Sequence, residues 1–305
     1  GVRSEVGLTH QERMRPERRV APGCLTLPRT GGYNRLILRR EGDHGAPTVL
    51  SAIAVLGAQV LRGLEYFGEL SELHLRTLVH LTRGNIEYRP TIEQMSSVGV
   101  SSLPIVAVTM LFSGMVFSYH VADQATLLGA SSYVGWAVAE TMARELGPAL
   151  TAIVVAARAG SAMAAELGTM KVTEQIDALR TMATDPVQYL VVPRYLAAMV
   201  MVPILALIGD IIGVTGGFTM ANATVGMSAN SYFGSIPGNL ELWTVAAGVI
   251  KALFFGIIIA VIGCHQGLYT QKASEEVGRA TTRAVVYCIM LIYAANLVLT
   301  VLLFP

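Results

Sequence analysis

The sequence predicts an all-α polytopic membrane protein: an N-terminal interfacial amphipathic helix followed by five transmembrane helices, with a short amphipathic helix between spans two and three. Three observations carry this reading. Only 14% of the 305 residues are charged, against roughly 25% in an ordinary globular protein. The mean hydropathy is +0.54, which excludes a soluble enzyme. Five apolar stretches reach the roughly 20 residues needed to cross a bilayer. The formal net charge of +1 hides an asymmetry, because nine of the 22 Lys and Arg residues fall in the first 50 positions. Cys24, Cys264 and Cys288 are too scattered for a metal site and odd in number, so neither a zinc cluster nor a disulfide framework is expected.

Residues 1–50 hold nine arginines, five acids and four prolines without a long apolar run. Such a segment has too little apolar area to form a core and is expected as a basic, disordered extension ahead of a membrane domain at 51–305. No apolar stretch of signal-peptide length follows its first arginines, and Glu5, Glu12 and Glu17 are unusual in a transit peptide. From Leu56 to Leu81 the residues Leu56, Val60, Leu64, Phe67, Leu70, Leu73, Leu78 and Leu81 recur three to five apart, with Arg62, Glu65, Glu69, Glu72 and Arg76 on the other side. That periodicity is an amphipathic helix, and its place before the first span puts it in the interface plane.

The 29 residues between Glu93 and Asp123 carry no Asp, Glu, Lys or Arg, which gives a first span near 96–119. A second runs from Tyr133 to Gly168, longer than the ~30 Å hydrocarbon core at about 1.5 Å per residue, with a bend expected at Gly147-Pro148. The third covers Pro193 to Phe218, preceded by Asp185-Pro186 as an N-cap with proline at the first helical position. The fourth lies near 243–266, and the fifth is Ala284 to Pro305. No Lys or Arg occurs in 120–143 or 218–250, whereas Lys171 and Arg180 lie in one remaining loop and Lys272, Arg279 and Arg283 in the other. The positive-inside rule therefore puts the N terminus and those two loops in the cytoplasm and the C terminus outside.

The chain lacks a phosphate-cradling loop: its lysines are Lys171, Lys251 and Lys272, none after Gly and none before Ser or Thr. HExxH, GxSxG and paired-cysteine motifs are also missing, so no catalytic residue, metal or cofactor is expected in this chain. In the loop after span two, Thr173, Glu174, Asp177 and Arg180 sit at helical spacing beside Ile176 and Leu179, a short helix suited to docking on another protein. Ionisable groups inside spans cost roughly 2.5 to 3.5 kcal/mol each and are functional candidates. Those singled out are Arg144 and Glu145 in span two, Asp210 in span three and Lys251 in span four; the depths of the last two favour an Asp210–Lys251 ion pair. Ala156, Gly160, Ala164 and Gly168, and Gly209 with Gly213, are small-residue stripes for close helix contact, within a subunit or between two.

Several of these segments together resemble the MlaE-type permeases of ABC lipid transporters. The residues are Glu145-Leu-Gly-Pro148, Ala157-Arg-Ala-Gly-Ser161, Ala165-Glu-Leu-Gly-Thr-Met170, Val172-Thr-Glu-Gln-Ile-Asp-Ala-Leu179, Asp185-Pro186, Val192-Pro-Arg194, Gly263-Cys-His-Gln-Gly267 and Val277-Gly-Arg-Ala-Thr-Thr-Arg283. The resemblance covers residues 55–305. It implies a permease homodimer in the bacterial inner membrane, cytoplasmic ATPase subunits that hold ATP and Mg, and a periplasmic MCE-domain protein. The complex would pass phospholipid between inner and outer membranes, and no nucleic acid is involved. It also implies that Glu166 to Arg180 is a cytoplasmic coupling helix on the ATPase, with Glu166, Lys171, Thr173, Glu174, Gln175, Asp177, Leu179 and Arg180 as its residues. Arg144, beside Glu145, would meet a phosphate headgroup in a lipid cavity. The rival readings are an ion-driven secondary carrier using Asp210, Glu145 and Lys251, which would need an inverted repeat that five spans do not readily supply, and a non-transporting scaffold. A plastid envelope is the alternative location.

The loop charges set an expected topology. A cysteine at Ser228 should react with an impermeant thiol reagent from outside and one at Ser274 should not; the reverse labelling would overturn it.

Overall fold

The computed structural model describes residues 49–84, 87–271 and 273–304. The basic extension 1–50 lies outside these apart from its last two residues, as do Lys272 and the side chains of Leu56 and Arg62. The chain divides after Ala58 into two compact units, and the helical bundle belongs to the second, Gln59–Pro305. The elements are α1 (Val49–Thr82), α2 (Tyr88–Leu127), α3 (Ser131–Val172), α4 (Gln175–Thr181), α5 (Val187–Val225), α6 (Ala229–Gly234), α7 (Leu242–Leu268) and α8 (Ser274–Leu303). There is no strand among the described residues. Helices α2, α3, α5, α7 and α8 are each long and apolar enough to span a membrane, so the predicted all-α polytopic architecture holds.

These helices outrun the predicted spans because the hydrophobic stretch marks the bilayer and not the helix. Helix α8 begins at Ser274, ten residues before its apolar run. Its first turns are held by exposed pairs on one face, Arg279 to Glu275 at 2.8 Å and to Glu276 at 3.1 Å, and Arg283 to Glu276 at 3.2 Å. Helix α2 begins likewise at Tyr88, with Arg89 near Glu93 at 3.6 Å. Asp185 caps the start of α5: its Oδ1 accepts from the Val187 N–H at 2.9 Å, and Pro186 loses nothing there because that N–H would have no partner.

Among the described residues, wide turns with i→i+5 hydrogen bonding interrupt the long helices at Ser96–Val100, Met142–Leu146 and Ala156–Gly160, and another opens α5 at Val187–Val191. Such turns shift ladder pairing and cluster at functional sites. At Gly147-Pro148, where a bend is expected, a wide turn immediately precedes the pair and the helix resumes at Gly147 with Pro148 in its first turn.

Glycine lets the backbones meet. A Cβ on Gly114 of α2 would lie 2.0 Å from the Gly213 carbonyl oxygen of α5, and one on Gly216 would lie 2.6 Å from the Leu111 carbonyl oxygen. Ser118 Oγ donates to the Gly217 carbonyl at 2.7 Å in the same seam. The other stripe packs α3 on α7 and α8: Gly160 faces Ile259 and Cys288, and Gly168 faces Val277. Both stripes therefore work within one chain.

Helix α1 meets the bundle through side chains. Leu73 and Thr77 are buried, with Leu70 and Leu78 packed on the core, while Val60, Leu64 and Phe67 are exposed. The predicted single apolar face is thus split in two. Glu69 is exposed as expected and also meets His265 of α7 at 3.2 Å, and Gln266 donates to the Tyr66 hydroxyl at 3.2 Å.

Gly114→Val should lower the unfolding temperature of the detergent-purified chain sharply, by the equivalent of about 2 kcal/mol or more, because backbone cannot yield as a side chain can. Gly278→Ala in α8, with nothing within 4 Å, should be neutral or stabilising by up to about 1 kcal/mol. Equal effects would show that the α2–α5 seam is not close-packed.

Candidate functional site

Pro148 has no N–H to offer the carbonyl four residues earlier, that of Arg144. Lys251 of α7 supplies the donor instead: its Nζ lies 2.9 Å from the Arg144 oxygen, 2.8 Å from Glu145 Oε1 and 2.8 Å from Thr300 Oγ1 of α8. The ammonium is fully buried, and these three acceptors match its three hydrogens. Asn296 Nδ2 donates to Glu145 Oε2 at 2.9 Å, and Thr300 Oγ1 stands 3.0 Å from Glu145 Oε1. One wide turn, one proline and four polar side chains thus join α3, α7 and α8 inside the bundle.

The predicted Asp210–Lys251 pair is corrected by this geometry, since the partner of Lys251 is Glu145. Asp210 lies against Gly147, where a Cβ would come within 1.7 Å of its Oδ1, and that oxygen is buried without a hydrogen-bond partner. Arg144 and Glu145, adjacent in sequence, have separate fates. Glu145 is consumed by the cluster. The Arg144 side chain is 37% exposed, with Nη1 3.9 Å from Glu140 and Nε 4.0 Å from Glu145, too long for hydrogen bonds. Its guanidinium makes none among the described residues, and the Phe304 ring covers its face at 3.8 Å.

The far end of α3 holds the second group of predicted residues. Glu166 pairs with Arg194 of α5 at 2.8 Å, and Arg194 Nη1 also donates to the Leu190 carbonyl at 2.8 Å in the wide turn opening α5. Lys171 and Arg180 both reach Asp177 Oδ1, at 3.2 and 3.5 Å. Ile176 is buried and Leu179 packs on the core, so the apolar face of α4 is used by its own chain. Thr173 donates to the Thr169 carbonyl at 2.8 Å. Thr173, Glu174, Gln175, Ala178, Arg180 and Met182 are exposed, Met182 by 73%. Glu174 and Ala183 bracket the helix with φ of 61° and 57°, left-handed conformations that cost non-glycine residues roughly 1–2 kcal/mol each.

The model of the permease MlaE family matches residues 91–302, which take in α3 to α7, all but the ends of α2 and α8, and the Lys251 cluster. The chain belongs to the MlaE permease family. It is 42% identical over 229 residues to a probable ABC transporter permease protein of Synechocystis sp., covering 75% of this chain and 87% of the relative. It is 32% identical over 258 residues, 84% of this chain and 98% of the relative, to the intermembrane phospholipid transport system permease protein MlaE of Haemophilus influenzae. With the chloroplastic protein TRIGALACTOSYLDIACYLGLYCEROL 1 of Arabidopsis thaliana it shares 37% identity over 225 residues, 74% of this chain and 64% of that one.

Several residues of the site escaped sequence reasoning. Asn296 and Thr300 lie four apart on one face of α8, but neutral amides and hydroxyls are common in spans and nothing marks them as partners of a charge. Glu140, whose Oε1 accepts from Thr244 at 3.2 Å, is one turn before Arg144, and that i, i+4 spacing was a legible signal. Arg158 donates to the Ser97 carbonyl at 2.9 Å; it could have been found as a span charge next to Gly160.

Removing one member of the Lys251–Glu145 pair should expose the difference between Glu145 and Asp210. Lys251→Met or Glu145→Gln should destabilise the purified chain by about 3 kcal/mol or more, because each leaves the other charge without its partner in the bundle. Asp210→Asn should leave the unfolding temperature unchanged or raise it. A larger loss from Asp210→Asn would return the ion pair to Asp210 and Lys251.

Proposed function

We propose that this chain is the transmembrane permease subunit of an ATP-driven phospholipid transporter, and that Arg144 meets the phosphate of the lipid headgroup. One observation carries the headgroup reading: a guanidinium inside a span, 37% exposed, that makes no hydrogen bond among the described residues. Such a group is expensive in a bilayer unless an acceptor arrives, and a phosphodiester offers paired oxygens in the plane of the guanidinium. The neighbouring ammonium and carboxylate satisfy each other, which favours a fixed scaffold around Arg144 over the titrating groups of an ion-driven carrier.

Hydrolysis belongs to separate cytoplasmic ATPase subunits, which hold ATP and Mg. The contact for them is the outer surface of α4, bearing Gln175, Ala178 and Met182, with Glu174 and Arg180 at its rim. The tether of α4 to α3 through Lys171 and Asp177, and of α3 to α5 through Glu166 and Arg194, gives a rigid path from that surface into the spans. In this reading two copies of the permease enclose the lipid site, and a periplasmic MCE-domain protein passes phospholipid between inner and outer membranes. The subunit sits in the bacterial inner membrane, N terminus in the cytoplasm and C terminus in the periplasm. The relatives' names, ABC transporter permease and phospholipid transport permease, support it.

Two outcomes are expected. Arg144→Ala should lower the phospholipid that co-purifies with the chain several-fold while leaving its assembly and unfolding temperature intact; unchanged lipid would remove Arg144 from the headgroup site. Because Asp177 is bound within the chain, reversing its charge would disturb α4 itself, so the coupling test uses the exposed positions. Ala178→Glu with Met182→Glu should weaken capture of the ATPase at least about tenfold, the effect of losing a central contact, and uncouple hydrolysis from lipid transfer in proteoliposomes. Wild-type capture and transfer would show α4 to be a solvated connector.

A further inference from the structure

The turn after α8 is fastened over the Arg144 site. The Trp243 indole N–H, at the start of α7, donates to the Leu303 carbonyl at 3.1 Å. The same residue pair brings Phe304 to the charged cluster, where its ring centroid lies 3.8 Å from Arg144 Cζ and 5.6 Å from Lys251 Nζ. The family match stops at residue 302, so this ring lies just beyond the matched segment.

A ring on the face of a guanidinium does two things. It attracts the cation through its quadrupole, and it leaves the in-plane N–H groups uncovered. The five donors of Arg144 lie in that plane, and none of them is taken by a described residue. Glu140 and Glu145 stand at 3.9 and 4.0 Å, close enough to attract the charge and too far to fill the donors. Glu145 is held where it is by Lys251, Asn296 and Thr300, so it cannot swing over to claim them.

We infer that Phe304 is a positioning residue for headgroup recognition: its ring, latched by Trp243 through Leu303, fixes the plane of the Arg144 guanidinium so that the free edge is presented to a lipid phosphodiester. The inference rests on the headgroup reading of Arg144 and adds the group that orients it. An arginine on a flexible stem loses side-chain freedom when it binds, and a stacked one has lost it beforehand. Removing the ring therefore weakens binding without removing the charge.

The test uses the full chain in mild detergent, with a fluorescent short-chain phosphatidylglycerol as probe and its apparent Kd read by fluorescence polarisation. Phe304→Leu, which keeps apolar bulk but lacks the quadrupole, should weaken binding about 2- to 30-fold, the range a cation–π contact spans. Phe304→Tyr should bind as wild type does. Trp243→Phe, which removes only the latch donor, should fall between. The unfolding temperature should stay the same in all three. Unlabelled phosphatidylglycerol should displace the probe and inorganic phosphate at the same concentration should not; displacement by inorganic phosphate would overturn the assignment to a lipid. Wild-type affinity in Phe304→Leu alongside weak binding in Arg144→Ala would refute the role of Phe304 and leave Arg144 standing. Equal losses in the Leu and Tyr variants would refute it too, because the ring would then not be the operative feature. Wild-type affinity in Arg144→Ala would remove the headgroup reading and this inference together.

Discussion

The buried ammonium of Lys251 organises the bundle around it. A lysine with no exposure inside a membrane span persists only if all three hydrogens find acceptors, and here they come from three places: the Glu145 carboxylate, the Thr300 hydroxyl and the Arg144 carbonyl that Pro148 leaves without its helical donor. The proline defect in α3 and the charge on α7 are each unfavourable alone and complementary together. Because the acceptors belong to α3 and α8, the ammonium also sets the register of three spans against one another.

The same logic recurs at the other wide turns. Arg158 donates to the Ser97 carbonyl where α2 is interrupted, and Arg194 to the Leu190 carbonyl where α5 begins, while Glu166 balances Arg194. In each case a cation that would be costly in the bilayer is held at a helix irregularity, where backbone oxygen is available. Arg144 is the exception. It has two acidic neighbours and a stacked ring but no hydrogen bond among the described residues. Lys251, Arg158 and Arg194 each make at least one side-chain hydrogen bond, and Arg144 makes none among the described residues, which supports the proposal that its acceptor comes from outside the chain.

Between the two ends the helices are built for rigidity. Backbone approaches at Gly114, Gly213 and Gly216 leave α2 and α5 no room for relative sliding by side-chain adjustment, and the α3–α7 seam is similar, with Gly263 and Gly267 against the Gly160 and Ala164 carbonyls. An angle imposed at α4 would be carried along α3 as one body, except at its two wide turns. The turn at Met142–Leu146 bears Arg144 and Glu145 and is braced there by Lys251, Asn296 and Thr300.

The sequence by itself determined the number and order of the spans, because bilayer thickness and the cost of charge act on composition along the chain and need no knowledge of neighbours. It also exposed a short amphipathic helix around Thr173 to Arg180, the Asp185-Pro186 cap and four of the span charges. Which charges meet was decided only by the tertiary structure. Depth can be counted from a helix end, and by depth Asp210 and Lys251 suited each other. Azimuth cannot, because each residue admitted by a wide turn rotates the rest of the helix by about 100°. The turn at Met142–Leu146 lies within the segment that bears Glu145, and the structure gives that residue to Lys251 while Asp210 rests against Gly147. The roles of Asn296, Thr300 and Phe304 were invisible for a related reason: they are ordinary side chains whose meaning comes entirely from the charge that the fold brings beside them.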